Sequence, residues 1–249
     1  MIQLREKIEL SPSLIDYKFK NDTLNSLTSS FPFYYVRRML YYAGLTSSIQ
    51  KELIYNERIA EYPYIFKQLG SFGNKIKTVL DIGSNDSILP MQLATVGYEV
   101  TAMDQINTEN IYHPDMEFIC QDLFDNSFKD NTFDAVVSVS VIEHMGFGFY
   151  GDKVMEDADK KAFEEVYRML KPGGVAVITI PLFDDGNYWN DKITKFAEER
   201  IDLITKPFKV LDKQLLSKQT KKKGSKTFEF FANSKKPTEW NVWMLTLQK

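Results

Sequence analysis

Cysteine is nearly absent: Cys120 stands alone in 249 residues. No internal disulfide can form, so nothing ties the chain to an oxidising compartment. At a strand end, Cys120 reads as a core or incidental residue. No C-x-x-C set and no histidine cluster is present to ligate a metal. No apolar run is long enough to cross a bilayer. The opening stretch MIQLREKIEL mixes charges and lacks the apolar centre of a signal peptide. The expectation is a soluble, cytoplasmic protein with no membrane span. Hydrophobic content of 43% and charged content of 26% are those of a globular protein, and the chain can bury a proper core. The net charge of −3 conceals an excess of lysine after Lys206, with a run at Lys221-Lys222-Lys223. That run reads as a solvated loop. The alternative is a basic rim for an anionic acceptor such as an acidic sugar, a phosphorylated metabolite, a lipid headgroup or RNA.

A glycine-rich diphosphate loop is also missing, although its frame is there. From Thr78 to Asp104 the chain reads TVLDIGSNDSILPMQLATVGYEVTAMD. Val79, Leu80 and Ile82 make a short apolar strand ending at Gly83. Gly83-Ser84-Asn85-Asp86 is turn chemistry. Ile88 to Val96 resumes at helical spacing, with Pro90 where a missing N–H costs least and Gly97 as the stop. Tyr98, Val100 and Ala102 alternate with polar residues up to Asp104. An acidic residue about 20 positions after a glycine turn can hold the two hydroxyls of a ribose. A dinucleotide loop needs G-x-G-x-x-G, but Asn85 and Ser87 replace the later glycines. Asp81, in the approach to the turn, would repel a diphosphate and suit a ligand carrying ammonium and sulfonium charges.

Further strands read at Met116 to Cys120, Phe133 to Val139, Val175 to Ile180, Phe208 to Leu215 and Trp240 to Leu247, with an optional short one at Thr227 to Phe231. Asp157 to Leu170 is an amphipathic helix stopped by Lys171-Pro172-Gly173-Gly174, and Lys195 to Ile204 is another. Upstream, Phe33 to Tyr42 is aromatic and helix-compatible. Thr46 to Leu69 reads as one or two helices broken near Pro63, with Arg58, Glu61 and Tyr62 just before the break. Gly146, Gly148 and Gly151 make the segment after His144 pliable, an acceptor gate. Phe183 to Trp189 is an acidic loop that would floor an acceptor site.

VLDIGSNDS resembles the first half of the opening motif of class I S-adenosylmethionine-dependent methyltransferases. The segment Ser140-Val141-Ile142-Glu143-His144-Met145 resembles their type 11 subset. The resemblance implies an α/β fold. Its sheet is doubly wound, mostly parallel, seven-stranded and Rossmann-like, with an antiparallel last strand beside the fifth. It also implies a helical N-terminal cap over 1–72 and a catalytic domain over 73–249. S-adenosyl-L-methionine is the implied cofactor, with Asp81, Gly83, Ser84, Asn85, Asp104, Gln105, Asp122, Leu123 and Ser140 as the residues around it. Asp122 would meet the adenine amino group, against a plain Asx-turn or N-cap role. His144, then Glu143, are the candidate bases, against structural roles for both. No [DNS]-P-P-[FYW] or Pro-Cys follows the fourth strand, which argues against DNA-base methylation. The expected acceptor is oxygen or nitrogen of a small molecule or saccharide rather than a nucleic acid. Two rivals are a non-catalytic Rossmann-like binding module with a basic C-terminal surface for RNA or a protein partner, and an NAD(P)-dependent oxidoreductase.

Overall fold

The computed structural model describes residues 58–85, 87–106, 113–148, 153–182, 198–220, 228–231 and 240–249. The chain divides into two compact units. One is Met1–Asn56 with Glu109–Pro114, and the other is Glu57–Thr108 with Asp115–Lys249. Nearly all of the first lies outside the described residues, as do the expected helix over 33–42, the loop over 183–189 and the lysine run at 221–223.

The second unit is built on one eight-stranded sheet. Its strands are β1 (Thr78–Ile82), β2 (Glu99–Asp104), β3 (Met116–Cys120), β4 (Phe133–Val139), β5 (Leu170–Leu182), β6 (Lys209–Thr220), β7 (Phe228–Phe231) and β8 (Trp240–Gln248). Their order is β3-β2-β1-β4-β5-β8-β6-β7. The first five pair in parallel, and β8 enters antiparallel between β5 and β6. Seven strands match the expected architecture, and the eighth, β7, is the optional short strand.

Among the described residues, four helices cover the sheet: α1 (Arg58–Ser71), α2 (Leu89–Thr95), α3 (Ala158–Met169) and α4 (Glu198–Ile204). Alternation along β4 and β5 divides the core. Ala135, Val137, Val175 and Val177 pack with Ile65 and Leu69 of α1 and Leu89 and Leu93 of α2. Val136, Ala176 and Ile178 pack with Phe163 and Val166 of α3 and Ile201 and Ile204 of α4. Helices thus lie on both faces, which parallel strands require.

The expected break at Pro63 does not occur, because α1 runs through it. A proline inside a helix costs about 3 kcal/mol. Pro63 is on the exposed side, where water can reach the carbonyl left unpaired. Burial of Tyr64, Ile65 and Leu69 on the other side holds the helix together. Cys120 is exposed, so the core reading fails. No helix among the described residues is long and apolar enough to cross a membrane.

Candidate active site

In an open α/β sheet, ligands collect at the carboxyl ends of the strands where the strand order reverses. Here that point lies between β1 and β4. A cleft of about 340 Å³ opens there, lined from Gly83 and Asn85 after β1, Asp104 and Gln105 at β2, Asp122 and Leu123 after β3, and Ser140 and His144 after β4. This volume is in the range of small-molecule sites.

The turn after β1 is built for close approach. Gly83 has φ +77°, and a Cβ there would run into the side chain of Val141. Only glycine satisfies both conditions. Its N–H and that of Ser84 donate to the Met103 carbonyl, at 2.8 and 3.2 Å. The Asn85 N–H donates to Asp104 Oδ2 at 2.9 Å. Three successive amides of the turn are therefore spent on β2 and its terminal carboxylate. A diphosphate loop instead offers such amides to its ligand.

Asp104 accepts a second amide, from Ile106, on Oδ1 at 2.9 Å. Each carboxylate oxygen has a further lone pair for a hydroxyl. Asp122 caps a short 3-10 turn over Leu123–Asp125, accepting Phe124 N–H on Oδ1 at 2.9 Å. The N-cap role is thus present in a residue that also lines the cleft.

Asp81 and Ser84 stand behind the lining rather than in it, and both are buried. Asp81 Oδ2 and Ser84 Oγ have no hydrogen-bond partner among the described residues. Burial drives the Asp81 carboxyl up to about 8. The Arg58 guanidinium opposes that rise, and Asp104 adds to it. The three aspartates expected to converge belong to β1, β2 and the turn after β3, which are neighbours in the sheet.

Ser140 is a non-glycine residue at φ +52°. Its N–H bonds Thr179 O at 3.0 Å and its hydroxyl donates to Glu61 Oε1 at 2.9 Å. His144 lies on a 3-10 turn, Ile142–His144, with 34% of its side chain exposed. Burial, with the Arg58 charge as a second cause, lowers its pKa below the ordinary value. The ring is therefore neutral at neutral pH. Its 3.7 Å approach to Glu143 Oε1 is then a contact of a neutral ring, not an ion pair. Glu143 is buried at 1% exposure and is not among the lining residues.

Arg58 lines the cleft from α1 and was missing from the sequence-derived set. The only signal for it was its place beside Glu61 ahead of Pro63. Gln121, Phe124, Val141 and Met145 line the cleft as well. Among the described residues no group of acids, histidines and cysteine forms a metal site.

Residues 80–178 match the model of a methyltransferase-domain family, type 11. No curated protein matches the chain. Among solved structures it is similar to an N-methyltransferase, NodS, from Bradyrhizobium japonicum, in complex with S-adenosylhomocysteine. That pair is 15% identical, over 85% of this chain and 97% of the other, with a TM-score of 0.55. It is also similar to the 1,6-didemethyltoxoflavin N1-methyltransferase of Burkholderia thailandensis, with 1,6-didemethyltoxoflavin and S-adenosylhomocysteine bound. Identity there is 15%, over 87% and 86% of the two chains, with a TM-score of 0.54.

Proposed function

We propose that this class I methyltransferase domain of the type 11 kind uses S-adenosyl-L-methionine to methylate oxygen or nitrogen of a small molecule or saccharide. The observation that carries the reading is the pairing of Asp104 with the Gly83–Asn85 turn. Together they make a carboxylate wall beside a glycine with no room for a side chain, and leave the turn's amides occupied. A nucleoside suits that wall, whereas a pyrophosphate would need the amides that the turn has already spent on β2. The buried, partnerless oxygens of Asp81 and Ser84 stand behind that wall, an unmet polar demand beside the cleft.

Bound there, the cofactor would supply an electrophilic methyl group on a sulfonium. Asp104 would hold the ribose hydroxyls and Asp122 the adenine edge, with Leu123 and Gln105 beside them. Gly83, Asn85 and Ser140 would border the remainder. Arg58 carries the positive charge that suits a carboxylate at that end. The chain's main task is then positioning, with an acceptor lone pair held about 3 Å from the methyl carbon. His144, neutral and half-buried on the cleft wall, would take a proton from an acceptor that must lose one. We assign a helical N-terminal cap to 1–72, of which α1 is the described part, and the methyltransferase domain to 73–249.

Calorimetry with S-adenosylhomocysteine tests the reading. Binding is expected, and NAD binding in its place would reverse the assignment. Asp104→Ala should weaken S-adenosylhomocysteine by about 1.5–3 kcal/mol, the range for hydrogen bonds to a charged group. Unchanged affinity in a folded variant removes Asp104 from the site. With an acceptor in hand, His144→Ala should slow turnover roughly 100-fold or more. The acid limb of the wild-type pH profile should lie below about 6.5, because the lowered pKa keeps the ring basic further into acid. Full turnover by the alanine variant makes His144 a scaffold residue.

A further inference from the structure

Glu61 is a carboxylate with 0% exposure, and neither the family resemblance nor the cofactor reading uses it. Its Oε1 accepts the hydroxyls of Ser140 at 2.9 Å and Thr179 at 2.7 Å. Its Oε2 pairs with an Arg58 guanidinium nitrogen at 3.1 Å. That same nitrogen donates to the Val139 carbonyl at 3.1 Å. One buried side chain therefore ties the first turn of α1 to the end of β4 and to Thr179 within β5. The next residue, Tyr62, reaches Ser87 Oγ at 3.1 Å, so the same turn also grips the segment after β1.

Packing alone does not call for a charge here. A buried ion pair is rarely more stabilising than apolar residues of the same volume. A carboxylate differs from a leucine in fixing directions. It orients the Arg58 guanidinium, and it anchors Ser140 in the left-handed conformation that a side chain otherwise avoids. Both residues line the cleft. They stand on its β4 side, whereas Asp104 and Asp122 stand on the β2 and β3 side.

We propose that Glu61 is a positioning residue: through Arg58 and Ser140 it shapes the end of the cleft that receives the amino-acid part of the cofactor, opposite the nucleoside. This rests on the cofactor reading above. The nucleoside end keeps its own contacts and does not depend on Glu61.

That asymmetry is measurable by calorimetry with two ligands. S-adenosylhomocysteine carries the amino-acid tail, and methylthioadenosine has the same nucleoside and sulfur without it. In Glu61→Gln the carboxamide cannot pair with Arg58 as the carboxylate does. S-adenosylhomocysteine is expected to weaken about 10-fold or more, and methylthioadenosine by less than about 2-fold. Equal losses for both ligands would make Glu61 a purely structural residue and overturn the proposal, as would no loss for either. If the glutamine variant loses its cooperative unfolding transition, Thr179→Val decides. It removes one donor to Glu61 and should give the same selective pattern at roughly 3-fold, while a non-selective or absent effect overturns the proposal. A wild-type chain that binds methylthioadenosine but not S-adenosylhomocysteine overturns it too. A wild-type chain that binds neither removes the cofactor reading itself, an outcome visible before any variant is made.

Discussion

Asp134 stands near the start of β4 and Asp81 near the end of β1, so adjacent strands carry an aspartate at opposite edges of one sheet. Asp134 accepts the amides of Lys77 and Thr78 and the Thr78 hydroxyl on Oδ2, at 3.0, 2.9 and 3.1 Å. Lys171 Nζ donates to its Oδ1 at 2.7 Å. Burial pushes its pKa up, yet these bonds, led by Lys171, outweigh burial and bring it down to about 2. Asp81 is more deeply buried and has an oxygen with no partner among the described residues. Its pKa is carried the other way, to about 8. The amino-terminal edge is satisfied by its own chain. The carboxyl-terminal edge keeps a residue in an unfavourable state, and such deficits gather where ligands bind.

The largest test of that contrast is Gly83→Ala. Strain at positive φ and collision with Val141 should cost about 3 kcal/mol in denaturant unfolding, and cofactor binding should be lost. A variant that binds normally would show that the turn does not need its close approach. Next in size is Asp134→Ala, which strands two amides and a lysine. About 2 kcal/mol of stability should go, with affinity for S-adenosylhomocysteine within about 2-fold of wild type. A large affinity loss would mean the two edges are not independent.

Smallest, and opposite in sign, is Asp81→Asn. A carboxyl whose folded pKa is raised contributes most below its unfolded value. Stability then declines as pH climbs from about 4 towards 8, where the folded group ionises. The asparagine variant should therefore gain on wild type across that window. A gain of about 1 kcal/mol is expected, because relaxation around a buried charge absorbs much of the nominal penalty. The same change should weaken the cofactor. Asp134 supplies the control: its depressed pKa gives stability that is present above about 4 and lost only as pH falls towards 2. Thermal melts of the two variants across pH separate the effects, and parallel melting curves would erase the distinction.

Much of the sheet was legible because its signals are local. β3 and β4 were bounded to the residue, β4 by its apolar run, and Gly97 closed α2 as its chemistry requires. The cleft residues read from the sequence sit just past strand ends, which a strand pattern locates directly. Pro63 misled, because whether a proline breaks a helix depends on which side of it is buried, a tertiary fact. Arg58 and Glu61 were harder still. Their partners lie 79 to 118 residues further along the chain, and no periodicity encodes such a meeting. The positive φ of Ser140 was equally silent, since serine carries no mark of a left-handed backbone.

β8 lies between β5 and β6, and its residues Asn241 to Leu247 are all buried. β6 and β7 join the sheet only through it. As the chain emerges from a ribosome, the parallel half can assemble with β5 as its open margin, and the next two strands have nothing to dock on until Trp240–Gln248 arrives. Vectorial synthesis thus makes the insertion of one late segment the event that seals an exposed, aggregation-prone edge.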